Sequence, residues 1–140
     1  MNYKIEDCKR EDEEIICNGL VAYNLSKVPK TQEIEFEYIN RKIVDDQGNV
    51  IAGVISQMYC WNVLYIDILW VSDEYRKQGY GSILLNEIEK IAKEKACHLI
   101  HLDTFDFQAK DFYLKHGYTV FGVLEDCPEE HQRYYLKKTI

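Results

Sequence analysis

The chain holds 140 residues, 46% hydrophobic and 29% charged, with eleven tyrosines and five phenylalanines. That is enough apolar and aromatic side chain for one core in one domain spanning 1–140, and it excludes a disordered chain. The 24 acids against 17 bases leave a net charge of −7, the wrong sign for gripping duplex DNA or an anionic membrane.

A first helix is expected over Glu11–Leu25, where Ile16, Leu20, Val21, Leu25 and Val28 recur at three- and four-residue steps. Its first turn carries Glu11, Asp12, Glu13 and Glu14, the charge a helix N-terminus favours, and Pro29 closes it. Two strands, Phe36–Asp45 and Val50–Tyr59, flank the turn sequence Asp46-Gln47-Gly48-Asn49 and read as a hairpin. Val63–Val71 is almost wholly apolar, as a central strand should be. Then come a helix over Ser82–Lys95 with Leu84, Ile88, Ile91 and Ala92 on one face, a strand His98–Asp103, and a short helix Gln108–His116 ending at Gly117. Two closing strands, Tyr118–Leu124 and Arg133–Lys138, are separated by Glu125–Gln132. Helix, run of strands, then β-α-β-α-β-β describes an α/β (α+β) three-layer domain with a mixed sheet.

The most informative stretch runs from Ile68 to Ser82. A buried strand enters a loop whose glycines, Gly79 and Gly81, open an amphipathic helix. Glycines let backbone approach a ligand, and the free N–H groups and dipole of a helix start favour a pyrophosphate. Arg76 and Lys77 add cations. Taken alone, the glycines fit equally well a tight strand–helix turn with no ligand. The dinucleotide fingerprint fails because Leu84 stands where a third glycine is needed, and the triphosphate loop fails because Ser82 follows Gly81 directly.

Arg76-Lys77-Gln78-Gly79-Tyr80-Gly81 resembles the R/Q-x-x-G-x-G/A signature of the GNAT superfamily of acetyl-CoA-dependent N-acetyltransferases. Ala109-Lys110-Asp111-Phe112-Tyr113-Leu114-Lys115-His116-Gly117-Tyr118 resembles the family's A-x-x-F-Y-x-x-x-G-F/Y segment. The resemblance covers roughly residues 50–140, whereas residues 1–49 match only in element order. It implies a sheet splayed at its centre to admit acetyl-CoA. The pyrophosphate would rest on the amides of Lys77, Gln78, Gly79, Tyr80, Gly81 and Ser82, beside Arg76. The pantetheine would pair with the free edge of Leu69, Trp70 and Val71, and the N–H at Leu69 would polarise the thioester carbonyl.

Acyl transfer to an amine needs the ammonium to lose a proton and the departing thiolate to gain one. By the resemblance Tyr113 donates to the CoA sulfur; by composition alone it is equally an ordinary core aromatic beside Phe112. For the base, strand alternation puts Asp67 on one face with Tyr65, Leu69 and Val71. An acid in an apolar strand needs a task or a partner, so Asp67 reads either as the base or as a paired carboxylate. Asp103 is the other candidate. One departure from the family stands out: an asparagine seven residues before the tyrosine is here Asp106, and the nearest amide is Gln108.

Other chemistries lack support. His98, His101, His116 and His131 have no zinc spacing, and no metal is expected. Cys8, Cys17, Cys60, Cys97 and Cys127 form no C-x-x-C pair and read as reduced thiols. No G-x-S-x-G elbow exists. No run approaches the ~20 apolar residues of a membrane helix, and the polar start is no signal peptide, so a cytoplasmic location is expected.

The expected activity is acetyl transfer from acetyl-CoA to a primary amine within a ternary complex. The acceptor is expected to be a small cation, because residues 1–74 hold 14 acids against 7 bases while residues 75–140 hold 10 of each. The loop bearing Glu125, Asp126, Glu129 and Glu130 adds negative charge on the acceptor side. A protein acetyltransferase and a non-catalytic acyl-CoA-binding module share every cofactor residue and remain open, as does a homodimer.

Overall fold

The computed structural model describes residues 1–140. Helix α1 (Arg10–Lys27) precedes strands β1 (Phe36–Tyr38), β2 (Arg41–Val44), β3 (Val50–Tyr59) and β4 (Val63–Val71). A 3₁₀ turn at Asp73–Tyr75 leads into α2 (Tyr80–Glu94), followed by β5 (Leu99–Phe105), α3 (Lys110–Lys115), β6 (Thr119–Glu125) and β7 (Gln132–Thr139). The seven strands make one mixed sheet in the order β1-β3-β4-β5-β7-β6, with β2 also paired to β3. No helix is long and apolar enough to cross a membrane.

The hairpin forms as the Asp-Gln-Gly-Asn sequence requires. The Asp45 carboxylate accepts the N–H groups of Gln47 and Asn49, both at 2.9 Å, and Gly48 takes φ +84°, a conformation few other residues adopt cheaply. The strand expected over Phe36–Asp45 is instead two, broken at Ile39 and Asn40. Ile39 is buried, and the Asn40 side chain accepts the Ser56 N–H at 2.9 Å, a ladder position that a backbone carbonyl would otherwise fill.

The core lies on one face of the sheet. Leu84, Leu85, Ile88, Ile91 and Ala92 of α2 pack in one cluster with Ala52, Val54, Leu64, Ile66, Ile100, Leu102 and Leu136 from the strands. Tyr113 from α3 and Tyr118 just after it join that cluster. Glu89, on the inner side of α2, is held by Lys138 Nζ at 2.9 Å and by the Tyr118 hydroxyl at 3.2 Å, so its charge is not left uncompensated.

The other face is only partly covered. Helix α1 buries none of its residues, and Val50, Ile55, Ile68 and Trp70 of the sheet remain about half exposed.

Two irregularities prepare the site. Strands β4 and β5, the only parallel pair, are paired from Val63↔Leu99 to Ile66↔Leu102 and then part, although both continue. This is the central splay. In the same place Ser56 faces Ile66 while Ile55 faces Ile68, leaving Asp67 as a bulge with no partner on β3.

Candidate active site

The splay opens into a cleft of about 450 Å³ between the ends of β4, the start of α2 and the Phe107–Tyr113 segment. Gly79, at φ +88°, is the N-cap of α2. The first helical hydrogen bond is Ile83 N–H to the Gly79 carbonyl, and the N–H groups from Lys77 to Ser82 have no partner within the chain. Six consecutive free amides at a helix start form a concave donor surface for an anion.

Gly81 lies close against an aromatic ring. A Cβ there would sit 3.4 Å from the Phe112 ring. We expect Gly81→Val to weaken acetyl-CoA binding roughly tenfold, about 1.4 kcal/mol, by pushing its methyls against Phe112. Titration calorimetry checks this, and an unchanged dissociation constant would detach the loop from cofactor binding.

The cations divide their labour. Arg76 Nε donates to the Val71 carbonyl at 3.1 Å and its guanidinium pairs with Asp73 at 3.0 Å, so it staples the loop to the end of β4. Lys77 lines the cleft and makes no ion pair, leaving its charge for a ligand. Ser82 Oγ lies 3.0 Å from His116 Nε2, and the Phe112 ring lies over that imidazole at 4.7 Å.

Most of the residues expected to meet the cofactor are brought together around this cleft. Leu69, Trp70, Val71, Arg76, Lys77, Gly79, Tyr80, Gly81, Ser82, Gln108 and Tyr113 all line the cleft. Gln78 does not, because its amide turns back to the Glu74 carbonyl at 3.1 Å. Gln108 reaches the cleft, but its Oε1 accepts the Phe105 N–H at 2.7 Å and the Thr104 hydroxyl at 3.3 Å, leaving only its NH₂ for a ligand. Asp106 points elsewhere: it holds His131 Nδ1 at 2.9 Å and the Gln132 N–H at 3.0 Å, fastening the β6–β7 connection. Residue spacing gave no notice of Tyr75, Phe107 and Phe112 as cleft walls, since aromatic residues near a helix look the same in a core.

Tyr113 is 6% exposed, and its hydroxyl makes no hydrogen bond within the protein. It lines both the large cleft and a smaller cavity of about 140 Å³ on the far side of the splay. Burial, aided by the negative charge of Asp103, pushes its phenol up to about 12. It is therefore protonated throughout the neutral range, on a residue that borders both compartments.

Asp67 and Asp103 both line the smaller cavity. The bulge corrects the face expected for Asp67. Leu64 and Ile66 before it, and Leu69 and Val71 after it, all pack on the core, so alternation breaks at Asp67 and the carboxylate does not share a face with Leu69 and Val71. Asp67 is exposed, with neither a hydrogen bond nor an ion pair. Asp103 is the opposite case. Its Oδ1 accepts from Arg133 Nε at 2.9 Å and its Oδ2 from the Tyr65 hydroxyl at 2.9 Å. Burial, then the bond to Asp103, pushes Tyr65 up to about 12. Beside them lies His101, whose ring nitrogen is 2.7 Å from the Tyr59 hydroxyl and whose imidazole is pushed down by burial, against the opposing charge of Asp103.

Known proteins resemble this chain in sequence and fold. The family model described as Acetyltransferase (GNAT) family matches residues 10–118. A crystal structure of an acetyltransferase from Bacillus cereus is 42% identical, with a TM-score of 0.89, covering 99% of this chain and 98% of that one. Acetyltransferase Atu2258 of Agrobacterium fabrum is 30% identical over 99% of this chain and 98% of its own length. Blasticidin-S acetyltransferase of Streptomyces morookaense is 28% identical over 83% and 85%. A splayed parallel pair, a loop of free amides opening α2 and a tyrosine set between two cavities thus stand in a chain that belongs to the GNAT family of acetyl-CoA-dependent acetyltransferases.

Proposed function

We propose that the chain transfers an acetyl group from acetyl-CoA to the amine of a small cationic molecule, directly and within a ternary complex. The observation that carries this reading is the unpaired Asp67, which lines one cavity at the splay together with Tyr113. Asp103 in the same region is ion-paired with Arg133, and Asp106 is hydrogen-bonded to His131 Nδ1, so Asp67 is the unpartnered carboxylate that a cationic acceptor would meet. The blasticidin relative, whose name assigns it a small-molecule substrate, supports the same class of acceptor.

The roles follow from placement. The amides of Lys77 to Ser82 and the Lys77 ammonium would hold the pyrophosphate. The β4 edge after Ile66 would pair with the pantetheine amides, and the Leu69 N–H would stabilise the oxyanion. Asp67 would take the ammonium proton, directly or through a water, and Tyr113 would protonate the leaving thiolate. Acetyl-CoA supplies the activated acyl group.

Thermal unfolding with acetyl-CoA, NAD and ATP in parallel tests the first half. Acetyl-CoA at 100 times its dissociation constant should stabilise by about 2.7 kcal/mol, and stabilisation by NAD or ATP alone would sink the proposal. An amine panel tests the second half. Cationic acceptors should turn over fastest, with kcat/KM falling as salt rises; salt-insensitive turnover of neutral or acidic acceptors would overturn the preference.

A further inference from the structure

The surfaces that α1 and the sheet leave uncovered are matched to each other, and we propose that they meet between two copies of the chain, forming a symmetric dimer in which each α1 lies in the other's groove. Ile15, Ile16, Leu20 and Tyr23 are 61–71% exposed. At about 100° per residue they share one side of the helix, an arc of about 140°. Val21, Asn24 and Leu25, which fall on another side, are half-buried. The helix therefore has two apolar sides, of which its own chain covers one. A helix apolar on more than one side belongs in a larger packed body than one chain provides here. Gly19 lies in the open stripe with nothing within 4 Å of where its Cβ would be. A glycine weakens a helix interior, and here it would let a partner's backbone approach closely.

The complementary surface is a groove of about 480 Å³ on the outer sheet face, floored by Val50, Ile55, Ile68 and Trp70, each 43–49% exposed. Gly53 flattens its middle, and Arg41 and Lys42 stand on its rim without an ion pair. The N-terminal turn of α1 presents Glu11, Asp12, Glu13 and Glu14, also without ion pairs. The acidic, apolar helix and the basic-rimmed, apolar groove thus agree in both charge and hydrophobicity.

Within one chain they do not combine. The end of α1 is tied down where Trp61 Nε1 donates to the Val28 carbonyl at 2.9 Å and the Thr31 N–H to the Cys60 carbonyl at 2.9 Å. In that anchored position the half-buried side of the helix takes the contacts with its own chain and the 15/16/20/23 stripe stays open. A two-fold axis makes the contact twice, helix to groove and groove to helix.

Analytical ultracentrifugation of the full chain tests this. The wild type should sediment as a dimer. Leu20→Glu on the helix and Ile55→Glu on the groove floor should each give a folded monomer, with far-ultraviolet circular dichroism as the check on folding. Mixing the two variants should restore a dimer weaker than wild type, because one sound helix then meets one sound groove. If Ile55→Glu does not fold, the rim reversal Arg41→Glu/Lys42→Glu takes its place in the mixing. A monomeric wild type, a dimer that survives either variant, or a mixture that stays monomeric would each overturn the proposal.

Discussion

Replacing Tyr113 by phenylalanine is expected to lower kcat by roughly 10²–10⁴-fold, the usual contribution of a positioned proton donor, with little change in acetyl-CoA affinity. The substitution keeps the ring in its place among the core residues, where it meets Phe112 edge-on at 5.2 Å and Tyr118 at 5.7 Å. It removes a hydroxyl that bonds to nothing in the protein, so no buried partner is left unsatisfied and the melting temperature should hardly move. With the phenol raised to about 12, the wild type should show no loss of rate from Tyr113 ionisation between pH 7 and about pH 11. Steady-state thiol release, read beside thermal unfolding, separates the possibilities. An unchanged kcat would make Tyr113 a packing residue, and a fall in stability equal to the fall in rate would point the same way.

The second large effect concerns the two aspartates. Asp67→Asn should cost on the order of 10²-fold in kcat/KM at neutral pH, at the low end for a lost general base. The deficit should shrink as pH rises toward the acceptor's own value, about 10.4 for a lysine-like amine, because the amine then arrives deprotonated. Asp103→Asn should behave differently. It removes the charge that holds Arg133 and the acceptor for the Tyr65 hydroxyl, so the melting temperature should drop while the shape of the pH–rate profile is kept. A pH-rescued deficit in Asp103→Asn with none in Asp67→Asn would exchange the two roles.

The parts of this molecule that can be read from sequence are those whose chemistry is local. Gly79 and Gly81 after an apolar strand mark a helix start with free amides, and the structure has those amides unpartnered. Leu84, Ile88, Ile91 and Ala92 recur at helical spacing and are buried together. Where non-local pairing decides, the reading slips. Alternation carries a strand's facing forward only while every residue has a partner, and the bulge at Asp67 shifts the parity for the rest of β4. Nothing in Phe36–Asp45 shows that Ser56, sixteen residues beyond Asn40, will claim its side chain and split the strand. The periodicity of α1 is real, but a period states that an apolar side exists and not what covers it.

The parting of β4 and β5 after Ile66 and Leu102 has a further consequence for the protein's colloidal behaviour. Exposed strand edges recruit other strands, and most sheets protect them at their outer margins with charges, bulges or short length. Here an edge lies in the middle of the sheet, where the diverging strands leave a wedge. A wedge accepts one narrow extended chain with alternating amide groups and rejects a second full-width strand with side chains on both faces. On the proposed reading, such a wedge would keep the backbone groups of the β4 edge for the thioester substrate without offering them to a neighbouring molecule.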